Sequence, residues 1–350
     1  MTPTDTAALP SKTFPVEFSG TKAGYFKLWF VNLLLSILTL GIYSAWAKVR
    51  NNQYLYGHTQ IDGHRLNYLA TPWQILRGRI LAILVFGGAY LLATLVPPIM
   101  VLFVIGYIFV LPWAIGQGLR FTMRMTSYRN VRFSFEASYG DLFVHFILLP
   151  MVAAFTLYLT APWIHKQISE FLHRSVTYGG KPLKIKLSTG HFYFAVLCTL
   201  FVGLIVGLLV LALILLGTGL VEMSPGYGAA YTGAGFILGY LGATFCSGIY
   251  MAMIRNHVMN NLEAEGLASF RSNVEPLTYA TIAASNVLLL MLTLGLAFPI
   301  TRIRMLRYTC AHTRVTLTPA IATMQNTVDE KYSAFGEEAA GLFDSDLSLA

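Results

Sequence analysis

Charge is what this chain lacks most: only 11% of its 350 residues are Asp, Glu, Lys or Arg, against 55% that are hydrophobic. With a mean hydropathy of +0.60, that leaves too little polar surface to coat a soluble globule of this length, so a bilayer has to take its place. Cysteine is scarce as well. Cys198, Cys246 and Cys310 lie in or beside apolar stretches at no metal-ligand spacing, which reads as three buried structural thiols. No Walker loop, HExxH, GxSxG or paired-carboxylate motif is present, so no nucleotide, metal-hydrolase or serine-hydrolase chemistry is expected. Glu170 and His173 have the Glu-x-x-His spacing of di-iron bundles, but such sites need a second pair, and the sequence offers none. The first 12 residues have no apolar core of the kind a secretory signal needs; the first hydrophobic segment is expected to act as an uncleaved anchor.

What the chain does have is long apolar runs. Ile80 to Val96, Ile99 to Gly116, Phe192 to Leu216 and Ala230 to Ile254 carry no Asp, Glu, Lys or Arg. At about 1.5 Å per residue each can cross a hydrocarbon core of about 30 Å with little or no thinning. Tyr25 to Trp46, Leu142 to Trp163 and Ala280 to Ile300 are of similar length but broken in the middle, at Thr39-Leu40-Gly41, Pro150 and Thr293-Leu294-Gly295.

The segments that follow the apolar stretches share a plan of aromatic or proline corner and then basic helix. They are Tyr43 to Asn51, Leu111-Pro112-Trp113 through Arg120, Ala161-Pro162-Trp163 through Gln167, Phe298-Pro299 through Arg304, and, without the proline, Phe245 to Arg255. Asn32 to Ile42 and Asn286 to Leu296 agree at most positions, which suggests one supersecondary unit copied in tandem. Short β-prone segments come next, at Thr59 to Tyr68, Val131 to Phe135, Leu183 to Leu187 and Arg314 to Leu317; several alternate polar and apolar residues as half-buried strands do. Thr71-Pro72-Trp73-Gln74 has the N-cap, N1 and N3 residues of a helix start.

The expected fold is therefore an α-helical polytopic membrane protein of tandem helical-hairpin repeats with short cytosolic β-strands and amphipathic helices. Residues 1–17 are read as a disordered tail, 18–319 as a membrane domain of about five repeats (18–67, 68–132, 133–185, 186–269, 270–319), and 320–350 as an acidic disordered tail. That last segment sets Asp329, Glu330, Glu337, Glu338, Asp344 and Asp346 against Lys331, with Phe335, Leu342 and Phe343 as apolar contacts for a docking peptide. Seven simple spans would divide the 24 Lys and Arg almost evenly between the two sides, against the usual cytoplasmic bias. Four spans with three broken re-entrant segments would put all of them on one face, and that arrangement is favoured. Its difficulty is that non-helical backbone at membrane depth must be covered by protein or water.

The run Phe18 to Arg50, continuing through Tyr54-Leu-Tyr-Gly-His-Thr and Asp62-Gly63, resembles the YjgN-like family of bacterial inner-membrane proteins, specifically over Phe18 to Ile80 and more loosely to about Pro319. The resemblance implies a bacterial inner membrane and supplies no catalytic residues.

The histidines, His58, His64, His145, His165, His173, His191, His257 and His312, sit almost entirely in interfacial segments, and Asp141 with His145 read the same way. A basic and aromatic belt of Trp46, Lys48, Arg50, Trp113, Arg120, Arg124, Trp163, Lys166, Arg255, Arg302, Arg304 and Arg307 either orients the protein or holds anionic lipid headgroups. Asn32, Ser36, Thr39, Asn286 and Thr293 are the candidate intramembrane polar groups. No catalytic, metal or cofactor site is expected. Partners are membrane lipids and a membrane or cytosolic protein, without nucleic acid, since topology already accounts for the net charge of +8. The expected role is a non-enzymatic scaffold or a lipid- or protein-handling module; the alternative is a channel or transporter for a small solute that uses the broken segments.

Overall fold

Residues 11–221 and 225–324 are described in a computed structural model. The chain opens with strand β1 (Lys12–Phe18) and then makes five helical hairpins, returning to β structure after each. The first is α1 (Lys22–Leu38) and α2 (Ser44–Gly57), leading to β2 (Thr59–Ile61) and β3 (His64–Tyr68). In the second, α3 (Pro72–Ala82) passes through a π turn (Ile83–Gly87) into α4 (Gly88–Leu95), and α5 (Pro97–Arg124) returns to β4 (Thr126–Tyr128) and β5 (Val131–Phe135). The third has α6 (Tyr139–Phe143), a π turn (Val144–Leu148), α7 (Leu149–Phe155), α8 (Ala161–Arg174), β6 (Val176–Tyr178) and β7 (Lys181–Ile185). The fourth has α9 (Thr189–Val221), α10 (Pro225–Asn260), β8 (Leu262–Ala264) and β9 (Ala268–Ser272), and the fifth α11 (Pro276–Leu292), α12 (Phe298–Ala311), β10 (Thr313–Leu317) and a 3₁₀ turn (Pro319–Thr323).

The strands overturn a purely helical fold class. All ten pair antiparallel, each with its neighbours in sequence, and β1 pairs with both β2 and β10, so the sheet closes into a barrel. Closure leaves no edge for another chain to extend. Three of the β-hairpins turn on two residues with positive φ, namely Asp62-Gly63 (50° and 70°), Arg129-Asn130 (48° and 62°) and Gly179-Gly180 (55° and 79°), which is what type I′ geometry requires. Every strand gives apolar side chains to one cluster, among them Phe14, Ile61, Leu66, Tyr128, Val131, Val176, Leu183, Leu262, Phe270 and Val315. Ile321 from the 3₁₀ turn joins it, as do Leu119, Met123 and Met259 from α5 and α10. The barrel is thus filled by side chains. Tyr178 Oη donates to Tyr128 O at 3.0 Å and Tyr128 Oη to Ile61 O at 2.9 Å, stitching three strands together. Burial raises both phenols, Tyr178 to about 12.

Neighbouring hairpins pack in sequence order, α2 on α3, α5 on α6, α8 on α9 and α10 on α11, and α1 meets α12 to complete the ring. Four helical segments are long and apolar enough to cross a membrane: Pro72–Leu95, Pro98–Arg124, Thr189–Gly219 and Gly226–Asn260. They contain the four charge-free runs of the sequence, apart from Val96 at the end of the first. Only 6% of the apolar window in Thr189–Gly219 is buried by protein, so most of that surface awaits lipid. The three broken stretches form the shorter hairpins α1/α2, α6–α7/α8 and α11/α12.

Several boundaries differ from expectation. Pro150 does not break its segment: it sits in the first turn of α7, where the preceding π turn has already shifted the hydrogen-bond ladder that a proline interrupts. The break falls at 156–160 instead. Leu111-Pro112-Trp113 is not a corner either, because fully buried Pro112 lies inside continuous α5, and Phe245 to Arg255 is likewise mid-helix in α10. Residues 12–17, read as disordered tail, form most of β1, and Ile321 is buried although it falls in the segment read as C-terminal tail. The reading of 325–350 as a disordered docking tail lies outside the described residues. Gln74 Oε1 does accept from the Thr71 N–H at 3.0 Å with Pro72 at the helix start, as the sequence suggests.

Two predictions follow from packing. A Cβ on Gly248 of α10 would lie 2.6 Å from the Ala280 Cα of α11, a backbone atom that cannot step aside, whereas one on Gly106 meets nothing within 4 Å. Gly248→Ala should therefore lower stability by about 1–3 kcal/mol, and Gly106→Ala should leave it nearly unchanged, measured by thermal unfolding in detergent. Burial lowers the pKa of His173, whose Nδ1–H donates to Ser169 O at 2.7 Å at the end of α8. The unfolded chain then takes up that proton first. Stability should be full above the ordinary histidine value of about 6.5 and fall as pH drops below it, less steeply in His173→Gln.

Candidate functional site

The belt residues sort by what they touch. Arg120 donates to Ala137 O at 2.7 Å, Lys166 pairs with Glu170 at 2.6 Å, Arg307 donates to Gly20 O at 2.9 Å, and Arg255 reaches Thr313 Oγ1 at 3.4 Å. Trp46 lies edge-on to Trp73 at 5.4 Å, joining α2 to α3. Lys48, Trp113, Arg124, Trp163 and Arg302 are half-buried on their helices. Arg120, Arg255 and Arg307 therefore tie their helices to strands or to the loops beside them. Glu170 also accepts from the Leu187 N–H at 2.5 Å, so it and His173 are structural in this setting. Among the described residues no three His, Cys, Asp or Glu side chains converge as a metal site would need.

The intramembrane polar groups are mostly turned back on their own helices. Ser36 Oγ donates to Asn32 O at 2.7 Å. Thr39 Oγ1 donates to Leu35 O at 2.8 Å and accepts from the Tyr43 N–H at 2.9 Å, and Thr293 does the same with Leu289 O at 2.7 Å and Ala297 N–H at 3.1 Å. Beside them Leu40 and Leu294 take positive φ (51° and 49°), followed by Gly41 and Gly295 at 92° and 88°. The Gly41 and Gly295 N–H groups close on Ser36 O and Leu290 O, both at 2.8 Å. In the third short hairpin Thr156 donates to Val152 O at 2.9 Å, and the Tyr158 N–H closes on Ala153 O at 2.7 Å. At each tip the turn satisfies its own backbone and turns an apolar side chain outward: Leu40, Leu157 and Leu294 are 95%, 84% and 93% exposed.

Hairpins α1/α2 and α11/α12 match position by position. Asn32 and Asn286 are each the eleventh residue of a 17-residue helix, and Arg50 and Arg304 each the seventh of a 14-residue one. Tyr54 Oη bonds Thr21 N and O at 3.0 and 3.2 Å; Tyr308 Oη bonds Glu275 N and O at 3.1 and 3.3 Å. Tyr25 stacks on Tyr54 at 5.2 Å, and Tyr279 meets Tyr308 at 6.5 Å. The two asparagines are both buried and each bonds within its own hairpin.

They differ in one respect. In α11/α12 Arg304 donates to Asn286 Oδ1 at 2.9 Å and to Ser285 Oγ at 3.1 Å. In α1/α2 the corresponding Arg50 is exposed, its guanidinium carbon 5.9 Å from the centre of the Tyr43 ring. Asn32 donates from Nδ2 to Asn51 Oδ1 at 3.1 Å, while its own Oδ1, buried in a residue 2% exposed, has no hydrogen-bond partner among the described residues. The local sequence explains the difference. Val31 stands where α11 has Ser285, so the guanidinium loses its second acceptor, and Tyr43 stands where α12 follows Ala297, so an aromatic face is offered instead. What remains is an open groove of about 620 Å³ lined by Lys27, Leu28, Val31, Asn32, Arg50, Gln53 and Tyr54.

Asn32 and Arg50 were among the sequence candidates; Lys27, Gln53 and Tyr54 were not. Helical spacing carries the missing signal, since Lys27, Leu28, Val31 and Asn32 share one face of α1, and Arg50, Gln53 and Tyr54 one face of α2. The groove holds two cations, no carboxylate and a buried unpartnered acceptor, beside apolar Leu28 and Val31. It can receive an anionic, partly apolar group that also donates a hydrogen bond.

Comparison with known proteins agrees with the sequence resemblance and extends it. Residues 13–342 match the family model described as "Bacterial protein of unknown function (DUF898)", a match that begins before Phe18 and runs past Pro319, where the sequence resemblance ends. Among curated proteins the chain is 31% identical over 147 residues to "Inner membrane protein YjgN" of Escherichia coli O157:H7 and 30% identical over 147 residues to that of strain K12. It is 27% identical over 143 residues to "Inner membrane protein YjgN" of Salmonella typhimurium. The first two alignments cover 42% of this chain, the third 41%, and each covers 36% of the relative, so the match spans about a third of those proteins' length. No solved structure matches. With its model matched from residue 13 to residue 342, the chain belongs to the DUF898 family of bacterial proteins.

Proposed function

We propose that this protein is a non-enzymatic inner-membrane module that handles lipid or a partner protein through a basic cytosolic face. In this reading the barrel sits against the cytoplasmic leaflet, the helices of the second and fourth hairpins cross the bilayer, and the three short hairpins dip into it and return. The five hairpins descend from one duplicated unit.

The observation that carries the reading is where the charge lies along the hairpins. The turns that join the two arms of a hairpin, at 39–43, 96, 156–160 and 293–297, contain no Lys or Arg, while the basic residues of the described chain lie on or beside the strands and on the helices between those turns and the strands. Lys and Arg are retained on the cytoplasmic side, which favours the barrel there. The self-satisfied, leucine-bearing tips support re-entrant insertion, because turns at membrane depth need every backbone group satisfied. The relatives' name, inner membrane protein, supports the same compartment. A solute pathway is less favoured: Ser36, Thr39 and Thr293 use their hydroxyls within their own helices, and the barrel's interior is packed with apolar side chains.

Single cysteines at Lys184, Tyr227, Leu40 and Leu294, in a chain lacking Cys198, Cys246 and Cys310, test the arrangement by labelling from each side of the membrane. All four positions are exposed on the protein. Lys184→Cys should label only from the cytosol and Tyr227→Cys only from outside. Leu40→Cys and Leu294→Cys should resist aqueous reagent from both sides. Labelling of either tip from outside would replace re-entrant hairpins with true spans, and labelling of Lys184→Cys from outside would reverse the orientation.

A further inference from the structure

We propose that the α1/α2 groove is a binding site for one anionic phospholipid headgroup that carries a hydroxyl, of the phosphatidylglycerol type. This rests on the bilayer placement proposed above. Three independent features of the groove define the ligand.

The first is charge. Lys27 and Arg50 are exposed side chains on its two walls, and among the described residues no Asp or Glu lines it. Two cations on facing helices suit a phosphodiester, and a guanidinium can bind its oxygens through two donors. The second is the buried acceptor. Asn32 Oδ1 has no donor among the described residues, and a buried polar atom left unsatisfied is destabilising. In the matching hairpin the same atom is filled by Arg304, so the vacancy belongs to this hairpin alone of the two. A ligand that donates there relieves the cost. A hydroxyl does so without adding charge, whereas the ammonium of an ethanolamine headgroup would bring a third cation into a groove with no carboxylate. The third is depth. Lys27 lies twelve residues before the Thr39 turn, about 18 Å along a helix at about 1.5 Å per residue. Half a hydrocarbon core is about 15 Å. Asn32 and Arg50 each lie seven residues from the turn, about 10 Å along their helices, so a tip roughly 5 Å short of the bilayer midplane sets both at the base of the headgroup layer and Lys27 within it, with exposed Val31 and half-buried Leu28 between them.

Lys27 and Arg50 bind the phosphate, Asn32 Oδ1 accepts from the headgroup hydroxyl, and Tyr54, held by both backbone groups of Thr21, fixes the upper end of the groove. Tyr43 keeps the Arg50 guanidinium away from Asn32 until the ligand arrives.

The test is native mass spectrometry of the full-length protein from detergent titrated with phosphatidylglycerol, phosphatidylcholine or soluble glycerol 3-phosphate. Wild type should retain one phosphatidylglycerol at least tenfold more tightly than phosphatidylcholine and bind no glycerol 3-phosphate. Lys27→Gln with Arg50→Gln should remove that advantage, while Lys184→Gln, an exposed cation on the barrel, should keep it. A second variant, Val31→Ser with Tyr43→Ala, gives the first hairpin the side chains that let Arg304 close in the fifth. It should raise thermal stability and weaken the lipid about tenfold. If the Gln pair and the Val31→Ser, Tyr43→Ala variant both keep wild-type retention, the groove is not the site, although a preference for phosphatidylglycerol in all variants would leave the basic-face reading standing. No preference in wild type would overturn both. Equal binding of glycerol 3-phosphate would overturn a lipid source in favour of a soluble phosphate ester.

Discussion

The hydrogen-bonded seam between β1 and β10 is the constraint on which the architecture depends. Lys12 to Pro15 pair with Leu317 to Arg314 while Val16 to Phe18 pair with Ile61 to Thr59, so the first strand links the end of the chain to its first hairpin. Once the ten strands form a closed cylinder, every helical hairpin must leave the rim and come back to it. That requirement brings basic residues from distant parts of the sequence to one level. It also explains why Arg307 near the end of the chain can donate to Gly20 near its beginning.

Much of this was legible in the sequence, for reasons that differ by element. Four charge-free runs announce themselves by composition alone, and the helices that contain them are the four of crossing length. Thr39-Leu40-Gly41 and Thr293-Leu294-Gly295 are legible as breaks because a threonine followed by leucine and glycine can make a turn that satisfies itself. The barrel was not legible. Its strands are three to seven residues long, and what makes them a barrel is pairing between units, such as Phe135 with Val176 or Ile185 with Leu262, across a whole hairpin of intervening sequence. No local pattern carries that information. Proline misled twice in the same direction: at Pro150 a π turn precedes it and the segment stays helical, and buried Pro112 lies inside continuous α5.

The candidate groove was half legible. Asn32 and Arg50 stood out by type and position, but their significance comes from a comparison only the structure permits. Two hairpins share the same tyrosine clamp and the same asparagine, and several side chains around them differ, among them Lys27 for Thr281, Val31 for Ser285, Tyr43 for Ala297 and Asn51 for Met305. The fifth hairpin uses its arginine internally. The first leaves it free to act on something else.

The seam also sets an order of assembly. Strand β1 leaves the ribosome before any helix exists, and its partner β10 emerges only after all five hairpins have been made. For a flexible chain, joining ends this far apart carries an entropic cost that grows by about 0.6 kcal/mol with each doubling of the loop. Here the intervening chain is not free, because each hairpin, once packed on its neighbour, returns its strand to a fixed rim. The strands can therefore add one beside another as synthesis proceeds, with two open edges facing each other across a narrowing gap. The five residues of β10 then act as the stave that turns a curved sheet into a cylinder.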